Sequence, residues 1–159
     1  MNRTSGKSGD LIEADIIVLD GDDHPVLLVE TKARAAASQE HVDRFLGRFV
    51  GSRFPFGMFA DLATIRIFGQ DLAEPRSPIL ELKTSDVLSL YEPAFDQKRI
   101  FSDYFETLIE AWLRDFAFHW KTERPPAFDA LESLGLVRRL SGGMTYKGDV
   151  LEPLPLYRD

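Results

Sequence analysis

The sequence predicts an α/β domain, a mixed β-sheet flanked by helices and followed by a helical C-terminal extension. Three observations predict it. Apolar, β-branched stretches recur up to Gly69 at strand length. One amphipathic helix divides the first pair of these stretches from the second. A long helical pattern then dominates the C-terminal part. The order strand, strand, helix, strand, strand, helix is that of a mixed sheet, not a strictly alternating parallel one.

Leu11–Asp20 (LIEADIIVLD) and Val26–Lys32 (VLLVETK) read as two strands joined by the turn GDDHP at Gly21–Pro25, a hairpin. Ser38–Val50 reads as a helix, with Ser38 as N-cap and Val42, Phe45, Leu46, Phe49 and Val50 on one face. Gly47 weakens it by about 1 kcal/mol relative to Ala. Phe56–Ala60 and Thr64–Phe68 are two further strands joined near Asp61–Ala63. Ile79–Lys83 is a fifth strand or an edge piece, and Ser85–Leu90 a short helix capped by Ser85. The clearest helix is Ser102–Trp120, where Tyr104, Phe105, Leu108, Ile109, Trp112, Leu113 and Phe116 recur at helical spacing. Pro125 and Pro126 end that region, Ala127–Leu134 is a short helix, and the tail carries one hairpin around Gly142–Gly143. The expectation is one domain over residues 1–159, with a core at about 11–69 and the helical extension at about 85–159.

The composition narrows function. With 159 residues, 44% apolar and 28% charged, the chain is long enough for a true core, and its 12 phenylalanines make that core aromatic. The absence of cysteine excludes disulfides, thiolate metal sites and cysteine nucleophiles. No apolar run reaches the roughly 18 residues of a membrane span, and MNRTSGKSGD lacks the apolar region of a secretory signal, so the expected location is cytoplasmic, with no membrane partner. The net charge of −7, its excess acid lying after Gly69, argues against a general nucleic-acid coat. An anionic substrate then needs a local basic path or a bound cation.

The informative residues stand at two strand ends. Glu30 and Lys32 alternate onto one side of their strand, as do Glu13 and Asp15 on theirs. If the strands pair through the GDDHP turn, Asp15 comes level with Glu30 and Lys32. Charges at the end of an apolar VLLV strand are costly to bury unless paired or metal-bound. Asp15 and Glu30 make a hard oxygen site for Mg2+ or Mn2+, and the carbonyl of Thr31 offers a third oxygen. Such an ion lowers the pKa of a bound water and offsets charge building on a phosphate. Lys32 then orients or helps deprotonate that water, or stabilises the pentacovalent transition state.

Asp15 followed by Glu30–Thr31–Lys32 resembles the signature of the PD-(D/E)XK nuclease superfamily. VLLVETKAR in particular is similar to the corresponding strand of the N-terminal nuclease domain of type I restriction enzyme R subunits. The likeness covers about Leu11–Gly69 and includes the order of hairpin, helix and two later strands. It implies a restriction-endonuclease-like fold and Mg2+-dependent hydrolysis of DNA phosphodiester bonds. Asp15, Glu30, Lys32 and Gln39 would be catalytic, with Gln39 matching a glutamine that several members carry on the helix after the motif. In the family a helix before the hairpin often supplies a further Glu. Here about ten polar residues precede the first strand, so either Glu13 stands in for that acid or another segment, such as Ser102–Trp120, fills the space.

His41, Arg44 and Arg48 share a helix face suited to a phosphate backbone, extended by Arg34 and Arg53. The acidic balance implies that a homodimer or a larger restriction-type complex supplies much of the grip on DNA. The rival reading is a catalytically inactive nuclease-fold scaffold for protein–protein contacts. A nucleotide hydrolase is disfavoured, since neither GxxxxGK[ST] nor GxGxxG occurs. His24, His119 and the pair Asp22–Asp23 read as structural, and the aromatic stripe of the long helix as core or dimer surface.

Overall fold

The computed structural model describes residues 11–12, 14–70, 74, 76–148 and 150–151. It is a mixed α/β structure: a six-stranded mixed sheet flanked by helices. Along the chain run β1 (Leu11–Ile12), β2 (Ile16–Leu19), β3 (Pro25–Lys32), α1 (Gln39–Val50), β4 (Phe56–Asp61), β5 (Thr64–Gly69), β6 (Leu80–Lys83), α2 (Thr84–Leu88), a 3-10 turn (Phe95–Gln97), α3 (Ser102–Phe118), α4 (Phe128–Ser133), α5 (Leu136–Leu140), β7 (Met144–Lys147) and β8 (Val150–Leu151). The sheet order is β6-β5-β4-β3-β2-β7. Among the described residues only β3 and β4 pair in parallel, bridged by the α1 crossover that a parallel pair requires. β1 pairs with β8 in a separate two-stranded ribbon. Among the described residues no helix is long and apolar enough to cross a membrane.

Strand alternation sorts the core into two layers. Ile17, Leu19, Leu28, Phe59 and Phe68 pack against Val42, Phe45, Leu46 and Phe49 of α1. Ile16, Val18, Leu27, Val29, Met58, Ala60, Ile65 and Ile67 face the opposite way, against Phe105, Leu108, Ile109, Trp112, Leu113 and Phe116 of α3 with α2, α4 and α5 around them. Ser38 caps α1 as expected, its hydroxyl accepting from the His41 amide at 3.2 Å. Gly57 of β4 sits directly under α1. A Cβ there would stand 2.9 Å from the ring of Phe49, which is fully buried and stacked on Phe45. Gly57→Ala is therefore expected to cost about 1–3 kcal/mol, read as a lower urea midpoint at unchanged slope.

Several sequence expectations are corrected. The single strand Leu11–Asp20 is broken at Ala14 and Asp15, leaving β1 and β2. The break has a specific cause: the Asp15 carboxylate takes the Thr31 amide at 2.7 Å, where a continuing strand would offer a backbone carbonyl. The segment after residue 85 is more than a helical extension, for α3 covers one whole sheet face and β7 adds an edge strand beside β2, in register Ile16↔Lys147 to Leu19↔Met144. Helix α2 starts at Thr84 with no side-chain cap, so Ser85 lies inside it. Helix α3 stops at Phe118, where His119 turns left-handed (φ 53°), and α5 was not foreseen.

The start of α3 is tied to the preceding loop through Glu92. Its carboxylate accepts from the Tyr104 hydroxyl at 2.6 Å, the Ala94 amide at 2.9 Å and the Lys98 ammonium at 3.0 Å. These bonds, the Tyr104 hydroxyl first, hold the carboxyl down at about 2. A depressed folded-state value means stability that is present above the ordinary value of 4.5 and is lost as pH falls toward about 2. Glu92→Gln should flatten that acid limb in thermal unfolding curves recorded across this window.

Candidate functional site

The site lies where β2 stops pairing with β3. The last paired residues are Ile16↔Val29, so continuing the ladder by one step sets Asp15 beside Glu30. The Asp15 carboxylate is clamped by the Thr31 amide at 2.7 Å and the Thr31 hydroxyl at 3.2 Å. Its backbone carbonyl receives the Gly148 amide at 2.9 Å, which anchors the break from the β7 side.

Glu30 and Lys32 share a side of β3, as alternation requires, and the Lys32 ammonium lies 3.4 Å from the Glu30 carboxylate. The other Glu30 oxygen meets the Arg48 guanidinium of α1 at 2.6 Å. The Glu30 side chain is 14% exposed, so this is a sheltered pair rather than a solvated one. Arg48 keeps a buried Nε with no protein acceptor, and His41 a buried Nδ1 with no partner. Such atoms cost about 1–3 kcal/mol each when unmet, and both lie on the flank of α1 that carries Arg48 toward Glu30.

One residue of the site escaped the sequence reading. Glu106 of α3 is near enough to Asp15 to feel its charge. Its carboxyl is pushed up, first by burial and next by the charge of Asp15, with Lys147 partly offsetting them. Helix α3 packs on the sheet face away from α1 and carries this acid. Glu13 lies outside the described residues. The legible signal for Glu106 was its place on the flank of a helix whose core face was already clear; what it faces depends on the packing of α3 on the sheet.

The expected set is divided. Asp15 gathers with Thr31 and Glu106; Glu30 gathers with Lys32 and Arg48. Asp15, Glu30 and Glu106 do not form a group whose carboxylate oxygens all lie within 4.8 Å of one another. Among the described residues Asp20, Asp22 and His24 do, but that turn is closed on itself. Asp20 accepts the Asp22 amide at 2.8 Å and the His24 amide at 2.9 Å, with the His24 ring at 3.5 Å, and these bonds hold its carboxyl below the ordinary range.

Gln39 does not join the site. It donates to Asp43 at 3.0 Å and borders a groove with Arg66, Arg76 and Glu81. Helical spacing puts Gln39 and Asp43 on the flank of α1 opposite His41 and Arg48, so a glutamine at this position faces β5 and β6 instead of Glu30. Arg44 is an exposed partner of Glu40 at 3.1 Å. Arg34 is exposed just beyond β3, and Arg53 just beyond α1. Of the expected basic residues, Arg48 touches an acid of the site, Glu30 at 2.6 Å.

The donor chemistry suits a hard divalent cation. Asp15 and Glu106 are neighbouring carboxyls, and Glu106 is raised first by burial and next by the charge of Asp15, a charge that such an ion would offset. Comparison with protein-family models, curated proteins and solved structures finds no match for this chain. The functional reading therefore rests on its own residues.

Proposed function

We propose that this chain is a Mg2+- or Mn2+-dependent phosphodiesterase acting on DNA, an endonuclease of the PD-(D/E)XK kind with a restriction-endonuclease-like core. The observation that carries the reading is the fork at Asp15. There the Asp15 carboxylate leaves its strand to take Thr31, next in register to the paired Glu30 and Lys32, and a third acid, Glu106 of α3, feels its charge. Asp15, Glu30, Glu106 and the Thr31 carbonyl are the groups that would hold the ion once Glu30, here paired with Arg48 and Lys32 apart from Asp15, turns to it; the ion would supply Lewis acidity and a water of lowered pKa. The Thr31 amide and hydroxyl fix the Asp15 carboxylate. Lys32 positions the water and offsets charge on the pentacovalent phosphate. Arg48, released from Glu30, would offer its guanidinium, and His41 its ring, to phosphate oxygens. The net charge of −7 leaves much of the DNA grip to a second subunit or a larger complex, and a cytoplasmic location goes with this reading.

One observation favours the second reading, an inactive nuclease-fold scaffold: Glu30 is already neutralised by Arg48 and Lys32. The two readings separate in one experiment. Linear, supercoiled and single-stranded DNA are incubated with Mg2+ or Mn2+ and the protein, beside Lys32→Ala and Asp15→Asn. The nuclease reading expects cleavage by the unaltered chain and its loss in both variants. Equal cleavage by all three contradicts it, and no cleavage together with no calorimetric Mn2+ binding favours the scaffold.

A further inference from the structure

Helix α3 buries one side against the sheet and leaves a second, ordered stripe in solvent. Tyr104, Ala111 and Phe118 recur every seven residues along that stripe, with Thr107 and Arg114 beside them. Tyr104 is 38% exposed and Phe118 48%. Trp120, 54% exposed, folds back alongside: its indole N–H donates to the Ala111 carbonyl at 2.9 Å and its ring lies 5.8 Å from Tyr91. Between this fixed indole and the helix runs a groove of about 340 Å³ with Ala111 in its lining, walled by Glu110 and Arg114. Large exposed aromatics gathered on one face mark a contact surface.

Charge and spacing argue for a second copy as the occupant. From Ala111 an aromatic stands seven residues away in both directions, with Thr107 four residues before it and Arg114 three residues after it. A patch placed on a two-fold axis meets its own copy. We propose that this stripe is a homodimer interface in which two α3 helices cross antiparallel at Ala111. The small side chain at the crossing lets the helices approach closely. Tyr104 then meets the partner's Phe118 at each end. Arg114, which has no ion-pair partner among the described residues, comes within one turn of the partner's Glu110, giving two equivalent charge contacts. The acid in the groove wall and the net charge of −7 speak against a polyanion as occupant. The interface is independent of the nuclease reading, and it provides the second subunit which that reading calls for.

The chain has no cysteine, so one introduced thiol reports one position. Under mild oxidation Ala111→Cys is expected to form a disulfide-linked dimer, since a two-fold axis at this residue brings the two Cα atoms within the roughly 4.4–6.8 Å that a disulfide spans. Asp86→Cys, exposed on α2, serves as the control and should stay monomeric. In sedimentation velocity on the full chain, the unaltered protein should self-associate at micromolar concentration, with Ala111→Glu and Arg114→Glu each weakening it at least about tenfold. Both substitutions lie on the solvent side of α3, and unchanged melting curves verify that the variants fold. A monomer up to about 0.5 mM, a dimer indifferent to Ala111→Glu, or cross-linking no faster than the control would overturn the proposal.

Discussion

Lys32→Ala should lower metal-dependent DNA cleavage by about 100- to 1,000-fold, the usual loss when one preorganised charge is removed from a developing oxyanion. Lys32 touches Glu30 at 3.4 Å and is partly exposed. Glu30 keeps its 2.6 Å partner Arg48 when Lys32 is removed, so the fold should survive and the loss should fall on turnover. Asp15→Asn makes the complementary test. The amide oxygen can still accept from the Thr31 amide, which preserves the fork, but the charge is gone. Mn2+ affinity should fall with activity, and Glu106 should relax toward the ordinary carboxylate range as its like-charged neighbour disappears. Glu106→Gln should also weaken Mn2+ binding. Calorimetry with each variant checks all three, and undiminished affinity in Asp15→Asn would remove Asp15 from the site.

The largest loss of stability is expected from Trp112→Ala. Trp112 is fully enclosed in the layer between α3 and the sheet, edge-on to Phe116 at 5.9 Å, and its indole N–H donates to the Pro126 carbonyl at 3.0 Å. Truncation removes the ring and leaves a cavity, at about 3–5 kcal/mol. It also strands the Pro126 carbonyl, which adds to the loss. Against a typical total of about 5–15 kcal/mol, that is a large fraction. For a chain of this length it corresponds to a melting temperature lower by about 10–15 °C. A scan in which the variant melts within about 2 °C of the unaltered chain would contradict this view of the α3 layer. Trp112→Phe should recover much of the packing but not the bond to Pro126.

What the sequence reveals here depends on whether the deciding interaction is local. Strand β3 is written as an unbroken apolar run, VLLV, buried on both faces. The capped helix α1 and the core face of α3 are written in a period of 3.6, and each element appears where its pattern places it. The break in β2 is not local: it depends on Asp15 accepting from Thr31, sixteen residues on. Strand β7 is a short edge strand with three of its four residues exposed, so it carries no alternation of burial to read. Gln39 shows the same limit. Its helix phase is plain from sequence, but which flank of α1 turns toward Glu30 is decided by packing, and Arg48 occupies that flank. Glu106 meets Asp15 only because α3 folds back over the hairpin from the far end of the chain.

The central claim is that the acids at the β2–β3 fork take up a divalent cation. A crystal soaked in Mn2+ and measured at the manganese absorption edge tests it directly. An anomalous peak bonded to Asp15 and Glu30, with the Arg48 guanidinium drawn off Glu30, is the predicted result. Glu30 still held by Arg48 and Lys32, with no peak between it and Asp15, would contradict the claim and leave the scaffold in its place.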